Sequence, residues 1–143
     1  SQLLKEYGLA PGSLHVEITE TLLTQVPTLV SRLRGLGIPI AIDDFGTGYS
    51  SLVALKNITV DTVKIDRTFV SGLDRHPEDA ALVTAAVHLA QALGVRMTAE
   101  GIETESQLSH LRELGCSQGQ GFFFSPPRSP EEIEALLAED PHW

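Results

Sequence analysis

The feature that most constrains the fold of this chain is a junction that recurs. A segment with helical periodicity ends in Leu-Gly, and a short β-branched or apolar run comes at once after it, at Leu36-Gly37-Ile38, Leu93-Gly94-Val95 and Leu114-Gly115-Cys116. Glycine just past a helix end can adopt the left-handed conformation that closes the helix, so the residues after it enter a strand. Reading outward from these junctions predicts strands at Leu14 to Ile18, Ile38 to Ile42, Thr62 to Ile65, Val95 to Ala99 and Ser117 to Phe123, with helices in the gaps. The clearest helix is Asp79 to Leu93, where Leu82, Ala85, Ala86, Leu89 and Leu93 recur at helical spacing and predict one apolar face, with Pro77 where the first turn begins. Thr104 with Gln107, and Ser129 with Glu132 behind Pro130, read as capping boxes that open two further helices.

Ile38-Pro39-Ile40-Ala41-Ile42 is almost continuously apolar, as expected of a strand covered on both faces. Strict βα alternation then predicts an α/β fold with parallel strands and helices outside. About five βα units are present, and a complete eight-unit barrel takes roughly 250 residues. A chain of 143 residues is therefore expected to form a partial TIM-type (β/α) barrel. It begins at Ser1 with no signal segment after it, and is expected to be a piece of a longer polypeptide.

Ten Lys and Arg stand against 19 Asp and Glu, a net charge of −9, which argues against a surface that coats a nucleic-acid polymer. Any phosphate ligand would need help from metal ions. No apolar stretch is long enough to span a bilayer, so no membrane contact is expected from this segment. A single cysteine, Cys116, excludes an internal disulfide and a Cys-based zinc site, and fits a reducing compartment such as the cytoplasm.

The residues at the strand ends are more informative. Glu17 and Glu20 end the first strand, Asp43 and Asp44 the second, Lys64 and Asp66 the third, Glu100 and Glu103 the fourth, and Gln120 lies near the fifth. Ligands bind at the carboxyl ends of strands in parallel α/β folds, so this phase marks a site. Some of these acids could instead cap helices, Glu103 before Thr104 above all. If Glu17, Asp43, Asp44 and Glu100 converge, hard divalent cations are the natural counter-ions. Two such ions roughly 3.5–4 Å apart would activate a water and support in-line displacement at phosphorus. His15, His76, His88, His110 and His142 show no metal-ligand spacing, and Cys116 and Phe122 to Phe124 read as packing residues.

Val16-Glu17-Ile18-Thr19-Glu20, the Asp43 to Leu52 segment, Val63-Lys64-Ile65-Asp66-Arg67, Thr98-Ala99-Glu100-Gly101-Ile102-Glu103 and Gly119-Gln120-Gly121-Phe122 resemble, in order, the later motifs of the bacterial EAL domain family. The resemblance covers nearly the whole chain. It implies a modified TIM barrel that uses two Mg²⁺ or Mn²⁺ ions to hydrolyse cyclic di-GMP to linear pGpG in second-messenger signalling. It also implies that residues 1–143 are the carboxyl-terminal portion of one such domain. By the same resemblance Glu17, Asp43 and Asp44 are metal ligands. Lys64 holds the attacking water and phosphate, and Glu100 is a general base or water-orienting group. Gln120 and Asp66 line the site, Glu20 anchors the Phe45 to Ser51 loop, and Glu103 supports the site from behind. That loop resembles one through which family members form homodimers.

The chain departs from the family pattern in three places. The Glu-Ala-Leu strand and the Asn-bearing strand after it, each the source of a metal ligand, are not among its motifs. Glu134-Ala135-Leu136 falls inside the predicted last helix and reads as helix composition. The stretch between Glu20 and Asp43 is short by about one helical turn, and Pro126 stands where a basic residue is common. The alternatives are a degenerate domain that binds cyclic di-GMP or a protein without hydrolysis, and an unrelated metal phosphohydrolase on the same fold.

Overall fold

Alternation along five short strands sorts this chain into two chemically different faces. The structure is a computed structural model that describes residues 2–23, 25–47, 60–141 and 143. Its strands are β1 (Val16–Thr19), β2 (Ile40–Phe45), β3 (Thr62–Ile65), β4 (Arg96–Glu100) and β5 (Gln118–Gln120). They form one parallel sheet in the order β1-β2-β3-β4-β5, with β1 and β5 as its edges. On one face the register aligns Ile18, Ile42, Val63 and Met97, and then Phe45, Ile65 and Ala99. Helices Pro27–Gly35, Pro77–Leu93 and Glu105–Glu113 contribute Val30, Val83, Val87, Ala90, Leu108 and Leu111 to the same hydrophobic core. The other face carries Glu17, Ala41, Asp43, Thr62, Lys64, Thr98, Glu100, Gln118 and Gln120, so every strand turns polar side chains to it, and the edge strand β5 is exposed.

The three Leu-Gly junctions close in the same way. Gly94, at φ +67°, ends helix Pro77–Leu93, and the amide of Val95 reaches back to the carbonyl of Ala90 at 2.9 Å. Ile38 to Leu33 and Cys116 to Leu111 repeat that bond at 3.1 and 2.9 Å. Such six-to-one bonds satisfy carbonyls that the helix end would otherwise strand, and they turn the chain directly into the next strand. Both capping boxes form with reciprocal bonds, at Thr104 with Gln107 and at Ser129 with Glu132. Glu134-Ala135-Leu136 lies within helix Pro130–Ala138.

Three expectations need correction. The buried face of helix Pro77–Leu93 is Val83, Val87 and Ala90, while Leu82 and Leu93 are 52% and 46% exposed. The helix is apolar nearly all round, so several stripes satisfy the 3.6-residue period, and packing against the sheet selects the β-branched one. Strand β2 continues past Ile42 through both aspartates to Phe45, whereas β5 stops at Gln120. Phe123 and Phe124 pack against the core, but Phe122 is 67% exposed because a turn after Gln120 interrupts the alternation.

Candidate active site

Lys64 lies on the central strand and its ammonium gathers the site. Nζ donates to Glu17 Oε2 at 2.7 Å on β1 and lies 2.6 Å from Glu100 Oε1 on β4. It also stands 3.3 Å from Asp43 Oδ1 on β2, so four adjacent strands contribute to one cluster. The Lys64 side chain is 9% exposed, against 18% for Glu100, 27% for Asp43 and 51% for Glu17, so the cation sits deepest and the acids rim it. Burial works against the charge on Lys64, but its bonds to Glu100 and Glu17, and the charges of Glu100 and Asp43, outweigh that and hold its pKa well above the ordinary lysine value. The ammonium therefore stays charged at every physiological pH. It acts as fixed positive charge and cannot serve as a proton acceptor.

Two consecutive acids can serve one site only if the strand breaks its alternation. Ile42 pairs with Val63 and Phe45 with Ile65, so three steps on β2 match two on β3. This bulge has a chemical reason. In regular register Asp44 would take the place opposite Ile65, on the apolar face beneath the helices, where an unpaired carboxylate is costly. The extra residue returns Phe45 to that face, where it is buried, and leaves Asp44 half-buried at φ +55°. Thr47 holds the strained turn. Its Oγ1 and amide both donate to the Asp44 carbonyl, at 2.8 and 3.2 Å. The motifs do not single out Thr47, although Asp44-Phe45-Gly46-Thr47 has the composition of a four-residue turn.

The remaining predicted site residues hold more varied positions. Gln120 pairs in register with Glu100, and it lines a depression of about 320 Å³ together with His15, Glu17, Thr62, Lys64 and Gln118. Asp66 Oδ1 is committed to capping helix Arg67–Gly72, accepting the Thr68 amide at 2.9 Å and its hydroxyl at 2.5 Å. Burial would raise its pKa, but these bonds prevail and lower it below the usual aspartate value. Glu20 is buried at the start of helix Glu20–Leu23, beside the end of β1. Glu103 is exposed, and what fixes it is its backbone amide, which donates to Gln107 Oε1 at 2.9 Å. Of the Phe45 to Ser51 loop, residues 48–51 lie outside the described residues, and Phe45 belongs to the core. A larger cavity of about 540 Å³ between β5 and helix Glu105–Glu113 has no acidic residue in its lining, whereas the smaller depression reaches Glu17 and Lys64 of the cluster. Cys116 borders that larger cavity, and burial pushes its thiol pKa up.

The donors fit hard divalent ions in kind. All are carboxylate oxygens, and Asp43 Oδ1 is buried without a hydrogen bond. They fall short in number, because among the described residues no three acidic, histidine or cysteine groups are placed to hold a metal by themselves. Among the described residues no helix is long and apolar enough to cross a membrane.

Comparison with known proteins agrees with this geometry. RocR of Pseudomonas aeruginosa, a cyclic di-GMP phosphodiesterase, is 44% identical over 136 residues, which is 92% of this chain and 34% of RocR. The EAL domain of Mycobacterium smegmatis DcpA superimposes with a TM-score of 0.89 at 44% identity, covering 96% of this chain and 64% of that one. Klebsiella pneumoniae BlrP1, solved with manganese and cyclic di-GMP, gives a TM-score of 0.82 at 35% identity over 88% of this chain and 33% of its own. The chain thus spans about a third of RocR and of BlrP1, and under two thirds of the DcpA domain. The profile of the EAL domain matches residues 1–127, a range that contains all five strands and every residue of the lysine-centred cluster, and the chain belongs to the EAL domain family.

Proposed function

We propose that this chain supplies five strands of a domain that hydrolyses cyclic di-GMP to linear pGpG with the help of Mg²⁺ or Mn²⁺. The observation that carries the proposal is the convergence of Glu17, Asp43 and Glu100 on the Lys64 ammonium from four adjacent strands, with Asp43 and Glu100 towards the carboxyl ends of theirs and Glu17 second in β1. Relatives named as cyclic di-GMP phosphodiesterases, and BlrP1 complexes holding manganese or calcium with cyclic di-GMP, support this choice of substrate and metal class.

In the reaction, a water oxygen attacks one phosphorus as the bond to the ribose 3′ oxygen breaks. The single linear product carries a 5′-phosphate at one end and a free 3′-hydroxyl at the other. Lys64, permanently charged, holds the phosphoryl oxygens and the attacking water electrostatically. Glu100, 2.6 Å from that ammonium, orients the water and takes its proton. Glu17, Asp43 and Asp44 are the residues that would hold divalent ions. When bound, such ions lower the pKa of water and neutralise the developing charge. Gln120, on the rim beside Glu100, hydrogen-bonds the substrate, and Asp66 lines the same rim while capping its helix. Glu20 anchors the loop after β2 from behind, and Glu103 steadies the Glu100 turn. The remaining ligands come from the Glu-Ala-Leu and Asn-bearing strands of the completed domain, which also cover the edges of β1 and β5. Two copies pair through the loop after Phe45.

The test is turnover of cyclic di-GMP by the full-length protein with Mg²⁺, Mn²⁺ or EDTA, alongside equilibrium binding. Metal-dependent release of pGpG is expected. Binding without turnover would instead establish a non-catalytic receptor, and the absence of both would end this reading. The 143 residues alone are expected to turn over poorly and to self-associate through the two sheet edges, as sizing chromatography would show.

A further inference from the structure

One cation at the carboxyl ends of the strands has no assigned task. Arg67 directly succeeds Asp66, is exposed, and forms no salt bridge among the described residues. Its position is nevertheless tightly defined. Gly101, the residue after Glu100, adopts φ +71°, and a Cβ there would stand 2.5 Å from Arg67 Cβ and 3.3 Å from its Cα. The stem of Arg67 therefore lies against the turn that carries Glu100, and only glycine leaves room for it. Other described arginines are placed elsewhere: Arg96 opens β4 at its amino end, Arg112 is held by the Trp143 carbonyl, and Arg128 donates to Ser125 at 2.8 Å.

Charge says what this arginine is for, given the function proposed above, on which this inference rests. Six acids, Glu17, Asp43, Asp44, Asp66, Glu100 and Glu103, lie at these strand ends against Lys64, whose ammonium is already shared by three of them. A cyclic dinucleotide brings two phosphodiesters, and only one of them is at the reacting atoms. The second meets an acidic rim, and Arg67 is the described cation at these strand ends that forms no salt bridge. A guanidinium offers parallel N–H donors that match two phosphate oxygens, and a stem already packed in place loses less freedom on binding. We propose that Arg67 is a substrate-binding residue that takes the phosphate not being cleaved, so that it sets affinity for the two-phosphate ring and leaves the chemical step to Lys64 and Glu100.

The test uses the full-length protein and three readouts: equilibrium binding of cyclic di-GMP with Ca²⁺, its steady-state hydrolysis, and hydrolysis of bis(p-nitrophenyl) phosphate, which has one phosphate. Arg67→Gln is expected to raise Kd and KM for cyclic di-GMP about tenfold, in line with loss of a charged hydrogen bond. The loss in kcat, and the loss with the single-phosphate diester, should each be at least several-fold smaller. Arg67→Lys should recover only part of the affinity, because charge is retained while the two-pronged donor geometry is lost. Gly101→Ala, which displaces the stem, should weaken binding in the same direction; if that variant fails to fold, Arg67→Gln still decides. Unchanged cyclic di-GMP affinity in Arg67→Gln overturns the proposal, as does an equal loss with both substrates, which would make Arg67 a support for Glu100. If the wild type binds no cyclic di-GMP, the phosphodiesterase reading falls first and this one with it.

Discussion

The carboxyl ends of β2 and β4 bring acids to the same lysine by opposite means. β4 stays in register with β3 and β5, so Glu100 reaches the polar face by simple alternation and no described backbone angle is strained to put it there. β2 breaks register, places Asp44 at φ +55° and needs two bonds from Thr47 to hold the turn. A regular strand delivers one side chain per face every two residues. A second adjacent acid therefore requires a bulge, and a left-handed aspartate costs up to about 1–2 kcal/mol unless local bonds offset it. The β4 end is free of that penalty. The difference places the backbone strain in β2 and not in β4.

Removing the shared partner should have the largest effect. Lys64→Met leaves three carboxylates converging without a cation, and should abolish turnover and destabilise the domain by about 2 kcal/mol. That is below the roughly 3–5 kcal/mol of a fully buried pair because Glu17 is half-exposed. Urea unfolding with and without Mn²⁺ checks this, since a bound cation should restore most of the loss; equal destabilisation in both would mean that the acids do not share a metal.

Next come the two strand ends themselves. Asp43→Asn should weaken divalent-ion binding tenfold or more in order of magnitude, whereas Glu100→Gln should lower kcat by about 10²–10⁴ with little change in metal affinity. Calorimetric titration of Mn²⁺ into each variant separates them. Metal binding lost equally in both would erase the distinction between a ligand end and a chemical end.

Strain gives a smaller effect of opposite sign. Asp44→Gly should raise stability by up to about 1 kcal/mol while reducing metal affinity, because glycine accepts φ > 0. Glu100→Ala, in regular register, should bring no such gain. Denaturation midpoints of the two variants compare the strand ends directly.

The smallest expected effect concerns Asp66. Asp66→Ala should cost about 1 kcal/mol and Asp66→Asn much less, since asparagine caps equally well. Its folded pKa is depressed, so the stability it adds is present above the unfolded pKa and is lost as pH falls below about 4 through the folded value. Activity lost in Asp66→Asn at unchanged stability would show that its charge serves the site beyond the cap.

How far these features were legible varied with their range. Leu93-Gly94-Val95, the Thr104 and Ser129 boxes and the strand phases are local, decided within about one helical turn, and they stand within three residues of where the sequence places them. Glu17, Asp43, Lys64 and Glu100 could be proposed as a cluster because parallel α/β sheets gather strand ends. Among the features that were not legible are the fit of Arg67 against Gly101, which joins segments 34 positions apart, and the exposure of Leu82, which turns on which of several equivalent stripes meets the sheet.

Sequence alone determined the parallel α/β order, the helix ends and the family motifs, since each rests on backbone preferences and on residue types that act over a few positions. Only the tertiary structure decided that β2 bulges, that Lys64 is the centre of the acids, and which helix face is buried. Those outcomes depend on competition for one shared space: an aspartate excluded from the apolar layer, one ammonium held among three carboxylates, and one stripe of an all-round apolar helix chosen by the sheet it meets.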